Sequence, residues 1–343
     1  MSKQQRGYTL IELMISLLLG LMLVSGFGSL FVQMQKNATI QRSLSYMMDD
    51  GRYILEMFGK ELRRTGSLRN RFDISGGGGT TSVFTADSNV FTTALGSTLG
   101  STMDFSAGDY IKGEYNTAGF GAAADKPYNV NRLGLRYQLN NSINPSIGKS
   151  AELASDGLGS ANSACERSIL LTTGEDTAPT QVHVVTLYFY VALDASNVPV
   201  LYCVAKRDNF TENTSVTSPT PEPLISNVQK LVITYGIDSD AYTGACYNSL
   251  TLSSTCLSGP DGVGDDGTAN YYVDANSVTN WQQVVAAKLS VVLRSDDDNL
   301  TTNFVSYPID GVTGSPFTAT DHRLYRVSST TIAFRNTFHN LIF

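Results

Sequence analysis

Between Tyr8 and Gln35 the chain carries a single ionisable side chain, Glu12, inside an otherwise apolar run. As a helix this run is long enough to cross a hydrocarbon core of roughly 30 Å. A cleaved secretory signal would have a shorter apolar part, would hold no acid, and would end in an A-x-A-like site. None of these is seen. The preceding MSKQQRG has Lys3 and Arg6 as its only charged side chains. Such positive flanks stay cytoplasmic, which places everything after about residue 35 outside. A carboxylate near lipid costs a few kcal/mol and marks a functional pairing, usually with a positive group. If a peptidase cut after Gly7, Tyr8 would gain a free amine close enough to neutralise Glu12 of the same or another copy.

The helical pattern continues past the apolar run. Ile40, Leu44, Met47, Gly51, Ile54, Phe58 and Leu62 recur at steps of three and four, with Arg42, Asp49, Asp50, Arg52, Glu56, Lys60, Glu61 and Arg63 between them. One apolar face and one solvated face are expected on a helix from about Tyr8 to about Arg64, roughly 85 Å long. Its outer half should pack on a head, while its inner half is apolar all round. Gly20, Gly26 and Gly28 interrupt the inner half, and no Pro occurs before Pro127. Thr65-Gly66 should end the helix.

Only 16% of the 343 residues are charged, which favours strands and turns over long surface helices in the remainder of the chain. Residues 76 to about 125 read as loops with short strands rather than a second core. In LGLRYQL, Leu133, Leu135, Tyr137 and Leu139 alternate with Gly134, Arg136 and Gln138, the pattern of a half-buried strand. LVITYGI (231–237) and AKLSVVLR (287–294) alternate likewise, and VHVVTLYFYVALD with VPVLYCVAK reads as a hairpin turning near Ser196-Asn197. The expectation is one antiparallel sheet with a face free for the helix.

Removing the first seven residues takes Lys3 and Arg6 away and moves the formal charge from −7 to −9. This balance excludes nucleic acid as an expected partner, because phosphate binding needs Lys and Arg patches. Cys165, Cys203, Cys246 and Cys256 all fall on the outer side, where disulfides persist. They allow three connectivities, and sequential pairing, Cys165 with Cys203 and Cys246 with Cys256, is the expectation. No C-x-x-C spacing suggests a thiolate metal site. PDGVGDDG sets Asp261, Asp265 and Asp266 among glycines, an oxygen-rich turn that suits Ca²⁺. Val263 stands where an EF-hand wants Asp or Asn, so a solvated acidic turn is the competing reading. Asp296-Asp297-Asp298 reads as a turn after a strand.

The string RGYTLIEL resembles the type III leader of type IV pilins, with Gly before an aromatic first residue and Glu five positions after the cut. In that family a prepilin peptidase cuts after the Gly and N-methylates the new first residue. The resemblance gives these roles to Gly7 and Tyr8, and an assembly role to Glu12; Tyr replaces the commoner Phe. ELRRTG (61–66), VQKLVITYGID, GPDGVGDDGTANYYVDA, WQQVVAAKLSVVLRS and FRNTF are similar to PilW-like minor pilins, over the helix and about 228 to 338. The implied fold is α+β and pilin-like, a long N-terminal helix on a large antiparallel β-rich head. The implied domains are a leader (1–7), a helix (8–66, with 8–34 the transmembrane or assembly half and 35–66 the amphipathic half) and a globular head (67–343).

The resemblance implies a minor, tip-priming subunit of a type IV pilus that needs no cofactor. Its implied partners are the prepilin peptidase, other minor pilins, the major pilin and a tip adhesin. It would sit in the inner membrane with its head in the periplasm, then at the pilus tip. A minor pseudopilin of a type II secretion system shares the leader and helix. A membrane-tethered periplasmic enzyme is the reading from another class. Against it, the chain has no G-x-S-x-G, H-E-x-x-H or P-loop, GFGAAA at 119–124 is an incomplete dinucleotide motif, and His183, His322 and His339 have no visible catalytic partners.

Overall fold

A computed structural model describes residues 9–67, 103, 105–106, 108–115, 131–138, 143–144, 149–150, 165, 183–209, 214–217, 221–239, 268–309 and 316–334. One helix, α1 (Leu10–Arg64, 55 residues), spans about 83 Å at 1.5 Å per residue. Thr65 caps its end by donating its N–H to the Glu61 carbonyl at 3.0 Å, and Gly66 turns away at φ 74°. That positive φ suits glycine and stops the helix where Thr65-Gly66 is expected to.

In chain order the first strands are β1 (Ile111–Tyr115), β2 (Asn131–Gln138), β3 (Ile143–Asn144), β4 (Lys149–Ser150), β5 (His183–Leu193), β6 (Pro199–Asn209) and β7 (Thr214–Thr217). Then come β8 (Glu222–Ser226), β9 (Val228–Ile237), β10 (Tyr271–Val273), β11 (Val284–Arg294), β12 (Ser306–Tyr307), β13 (Phe317–Thr318) and β14 (Tyr325–Ala333). The expected single sheet is in fact two large ones, beside two-stranded ribbons of β3 with β4 and of β12 with β13 among the described residues. One runs β1-β2-β5-β6, with β7 and β8 end to end along the far edge of β6; the other runs β10-β9-β11-β14. Alternation shows that a strand has a buried face, but it does not say which strand supplies its hydrogen-bond partners.

The two sheets and α1 enclose one core. Phe58 of α1 lies 4.9 Å from Phe189 of β5, centroid to centroid. The Tyr110 hydroxyl donates to the Val284 carbonyl at 2.7 Å, tying the approach to β1 to β11. A Cβ on Gly113 would lie 2.0 Å from the Tyr235 hydroxyl oxygen, so the sheets meet there only because residue 113 has no side chain. The β5–β6 hairpin turns at Asp194–Val198, where Asn197 takes φ 59° and the Asp194 carboxylate accepts from the Ser196 and Val198 N–H groups.

Polar positions expected to be solvated are buried in β2 and at the end of α1. All eight residues of β2 are buried, including Arg132 and Arg136, where a half-exposed strand is expected. Met103 and Phe105 lie over the second face, packed where a Cβ on Gly134 would sit. Arg136 lies over the Phe105 ring, 5.1 Å from its centroid. Arg132 is ion-paired with Glu114 at 2.5 Å, so its charge is matched rather than solvated. The stretch 76–125 therefore adds Tyr110 and Ile111 to the core, and Met103 and Phe105 to a second apolar cluster with Tyr188, Tyr190, Tyr202 and Val204, where only loops and short strands are expected. Glu61, expected on the wet face of α1, is also buried, because the last turn is enclosed. There Arg64 lies 4.0 Å over Tyr137, and Gly66 donates its N–H to the Arg136 carbonyl.

The Cys165 and Cys203 sulfurs form a disulfide with Cα atoms 5.8 Å apart, both residues buried. Cys246 and Cys256 lie outside the described residues.

Candidate functional site: the exposed assembly helix

The helix changes partners along its length. From Leu10 to Met34 its large apolar side chains face outward; Leu13, Leu17, Leu21 and Phe31 are each 61–62% exposed. No residue of its most apolar 18-residue window is buried, and among the described residues it is the one helix long and apolar enough to cross a membrane. From Ser43 onward the face formed by Met47, Gly51, Ile54, Phe58 and Leu62 enters the core, as the spacing predicts. Arg42, Asp49, Arg52, Glu56, Lys60 and Arg63 stay at least partly exposed away from that face. An α-helix with so much uncovered apolar surface needs lipid or other helices around it.

The first turn holds a reciprocal cap. Thr9 accepts the Glu12 N–H on its Oγ1 at 3.4 Å, while Glu12 Oε2 accepts from both the Thr9 N–H and the Thr9 hydroxyl at 3.2 Å. Two orphan backbone donors are thereby satisfied, and the carboxylate is fixed at the positive end of the helix dipole. Thr9 is the capping residue that the charge pattern alone does not reveal. T-x-x-E immediately before an apolar run is a capping-box signature and points to it. Farther along, Ser16 Oγ donates to the Glu12 carbonyl and Ser29 Oγ to the Gly26 carbonyl, so these hydroxyls are bonded within the helix. Gly20, Gly26 and Gly28 have nothing within 4 Å of a built Cβ. They leave room for close approach of another helix.

Of the other residues singled out in the sequence, Gly7, Tyr8, Asp261, Asp265 and Asp266 lie outside the described residues. Among the described residues no group of three or more His, Cys, Asp or Glu is placed to hold a metal. His322 stacks on Phe304 with ring centroids 5.1 Å apart, a packing contact. The Asp296–Asp298 turn is tied down by Arg323, whose Nη1 donates to the carbonyls of Ser295 and Asp296.

Burial of charge shifts two carboxyls. The Asp50 pKa is raised first by desolvation against the head and then by the nearby negative charges of Asp49 and Asp296. That of Asp109 is raised by burial, which outweighs its bond from the Ser106 N–H and the pull of Lys112 and Arg136.

A helix half bare and half docked on an antiparallel head, with a capped Glu12 in its first turn, is a pilin-like α+β arrangement. Residues 2–28 match the family model of the prokaryotic N-terminal methylation motif, and residues 188–336 match that of type IV pilus-assembly protein W. Neither the curated proteins nor the solved structures gave a match. Both family matches support a PilW-like type IV pilin, one at the bare end of the helix and one over the head. The second match begins inside β5, so it takes in the β5–β6 hairpin that the resemblance over 228–338 leaves out. The families matched are structural rather than catalytic.

Proposed function

We propose that this chain is a minor subunit that primes a type IV pilus and sits near its tip. Prepilin peptidase cuts after Gly7 and methylates the amine of Tyr8. The subunit waits in the inner membrane on residues 8–34, with residues 67–343 as a periplasmic head. It then enters a bundle with other minor pilins, the major pilin and a tip adhesin. The observation that supports this most is the coincidence of the methylation motif with the bare half of α1 and of the PilW match with the head. Assembly is non-covalent and uses no cofactor: apolar helices pack, and the Glu12 carboxylate meets an N-terminal amine. Burying that pair adds little stability, but it fixes register. Residues 261–266 as a calcium loop and Cys246–Cys256 as a second disulfide rest on the sequence alone.

The test is affinity capture of the tagged chain from membranes with mass spectrometry of what comes with it. The expected result is other minor pilins together with a mature end at Tyr8; capture of secretion-system pseudopilins would favour the secretion reading instead.

A further inference from the structure

The edges of the two sheets are not alike. β10 is three residues long, β7 is four, β8 carries Pro223, and β1 is five residues with Lys112 and Glu114. Short strands, prolines and charges are the usual devices that keep an edge from pairing with another chain. β14 has none of them from Val327 to Ala333. It is nine residues long, pairs with β11 in unbroken register from Tyr325 to Ala333, and has Arg326 as its only charge.

The register fixes which backbone groups face outward. Phe334 donates its N–H to the Val285 carbonyl, so residues 332, 330 and 328 share its orientation and bond to β11. The N–H and C=O groups of Val327, Ser329, Thr331 and Ala333 point the other way, and no described residue bonds to them. The side chains of Ser329, Thr331 and Ala333 are exposed, while Ser328 and Ile332 face α1 and the core. The helix that carries the bare half lies on this same strand, with Gly51 against Ser328. A subunit arriving along α1 therefore comes up on the β14 side of the head.

We propose that the outer edge of β14 receives an extended segment from the head of a neighbouring pilus subunit, added as a further strand. This rests on the pilus-subunit reading above. The groups at Val327, Ser329 and Thr331 supply a main-chain ladder, and the uncharged, hydroxyl-bearing rim selects a segment without a matching charge.

The test uses the full chain co-expressed with the other minor pilins. A photoreactive amino acid placed at position 331 should cross-link to another minor pilin, and one at the exposed position 222 should not. The Ser329→Lys/Thr331→Lys double variant should keep its thermal melt and lose about tenfold in co-purification. Adducts to this chain's own residues 335–343, adducts to a second copy, or an undiminished co-purification would each overturn the inference. If the unmodified chain captures no pilus subunit at all, the functional reading itself fails, which is a different result from the same experiment.

Discussion

At Gly51 the long helix lies close against the head, and enlarging it should loosen that joint. A Cβ there would lie 2.6 Å from Ser328 Oγ, 3.3 Å from Ser328 Cβ and 3.2 Å from Leu293 Cδ1. The serine oxygen can rotate away, but its Cβ is anchored to β14, and Leu293 is 1% exposed within the core. Gly51→Val gains a few tenths of a kcal/mol of helix propensity. Against this, overpacking of a fitted core costs about 1–3 kcal/mol, and the two added methyls place it toward the upper end. The net loss is about 2 kcal/mol, read as a melting temperature about 4–8 °C lower for the full chain in detergent. Gly51→Ala should lose less, and adding Ser328→Ala should recover part of it, with a coupling of about 1 kcal/mol. A Val variant that melts at or above the parent temperature, or additive effects in the Ala pair, would refute the close approach of α1 to β14.

Gly113→Ala should be worse tolerated still, because its Cβ would overlap the Tyr235 ring that joins the sheets; near-native yield of folded head would contradict this. Asp50→Asn should raise the melting temperature at neutral pH. The folded Asp50 pKa is raised above its ordinary value of 3.8, so its contribution is fully present below about that pH and is lost as pH rises through the folded value. The gain from Asn should therefore shrink toward zero as melts are taken down to acid. Thr9→Val should remove the cap at a cost of about 1 kcal/mol to the first turn, and Thr9→Ser should keep it; helicity by circular dichroism in micelles separates the two. Replacing Cys165 and Cys203 together by Ala opens a loop of 38 residues and should cost up to about 4 kcal/mol in denaturant titrations.

The amphipathic face of α1 was legible because one helix on one core obeys one period, and Met47, Ile54, Phe58 and Leu62 all fall where the spacing puts them. The strands β9 and β11 were legible as strands from their alternation, but not their burial: 231–237 are buried on both faces, and 284–293 are too except at Lys288. What was not legible depends on residues far away in the chain. Arg132 and Arg136 alternate like solvent-facing residues, yet Glu114 and Phe105 cover them. Glu61 falls in the polar period of the helix, yet the end of α1 is closed in by β2. The division into two sheets turns on pairing choices, such as β2 with β5 and β11 with β14, that alternation leaves open. In the site itself, Glu12 stood out as a charge in an apolar run, whereas Thr9 is uncharged and is marked only by its T-x-x-E spacing to Glu12, which the reciprocal cap explains.

Everything proposed for this chain turns on the bare half of α1 being a processed assembly surface rather than a permanent anchor. The decisive experiment is mass spectrometry of the N-terminal peptide, purified from cells with and without prepilin peptidase. With the peptidase the first residue should be N-methylated Tyr8, and without it residues 1–7 should remain attached. An end anywhere else, or an unprocessed chain in both strains, would mean that the helix is an anchor after all.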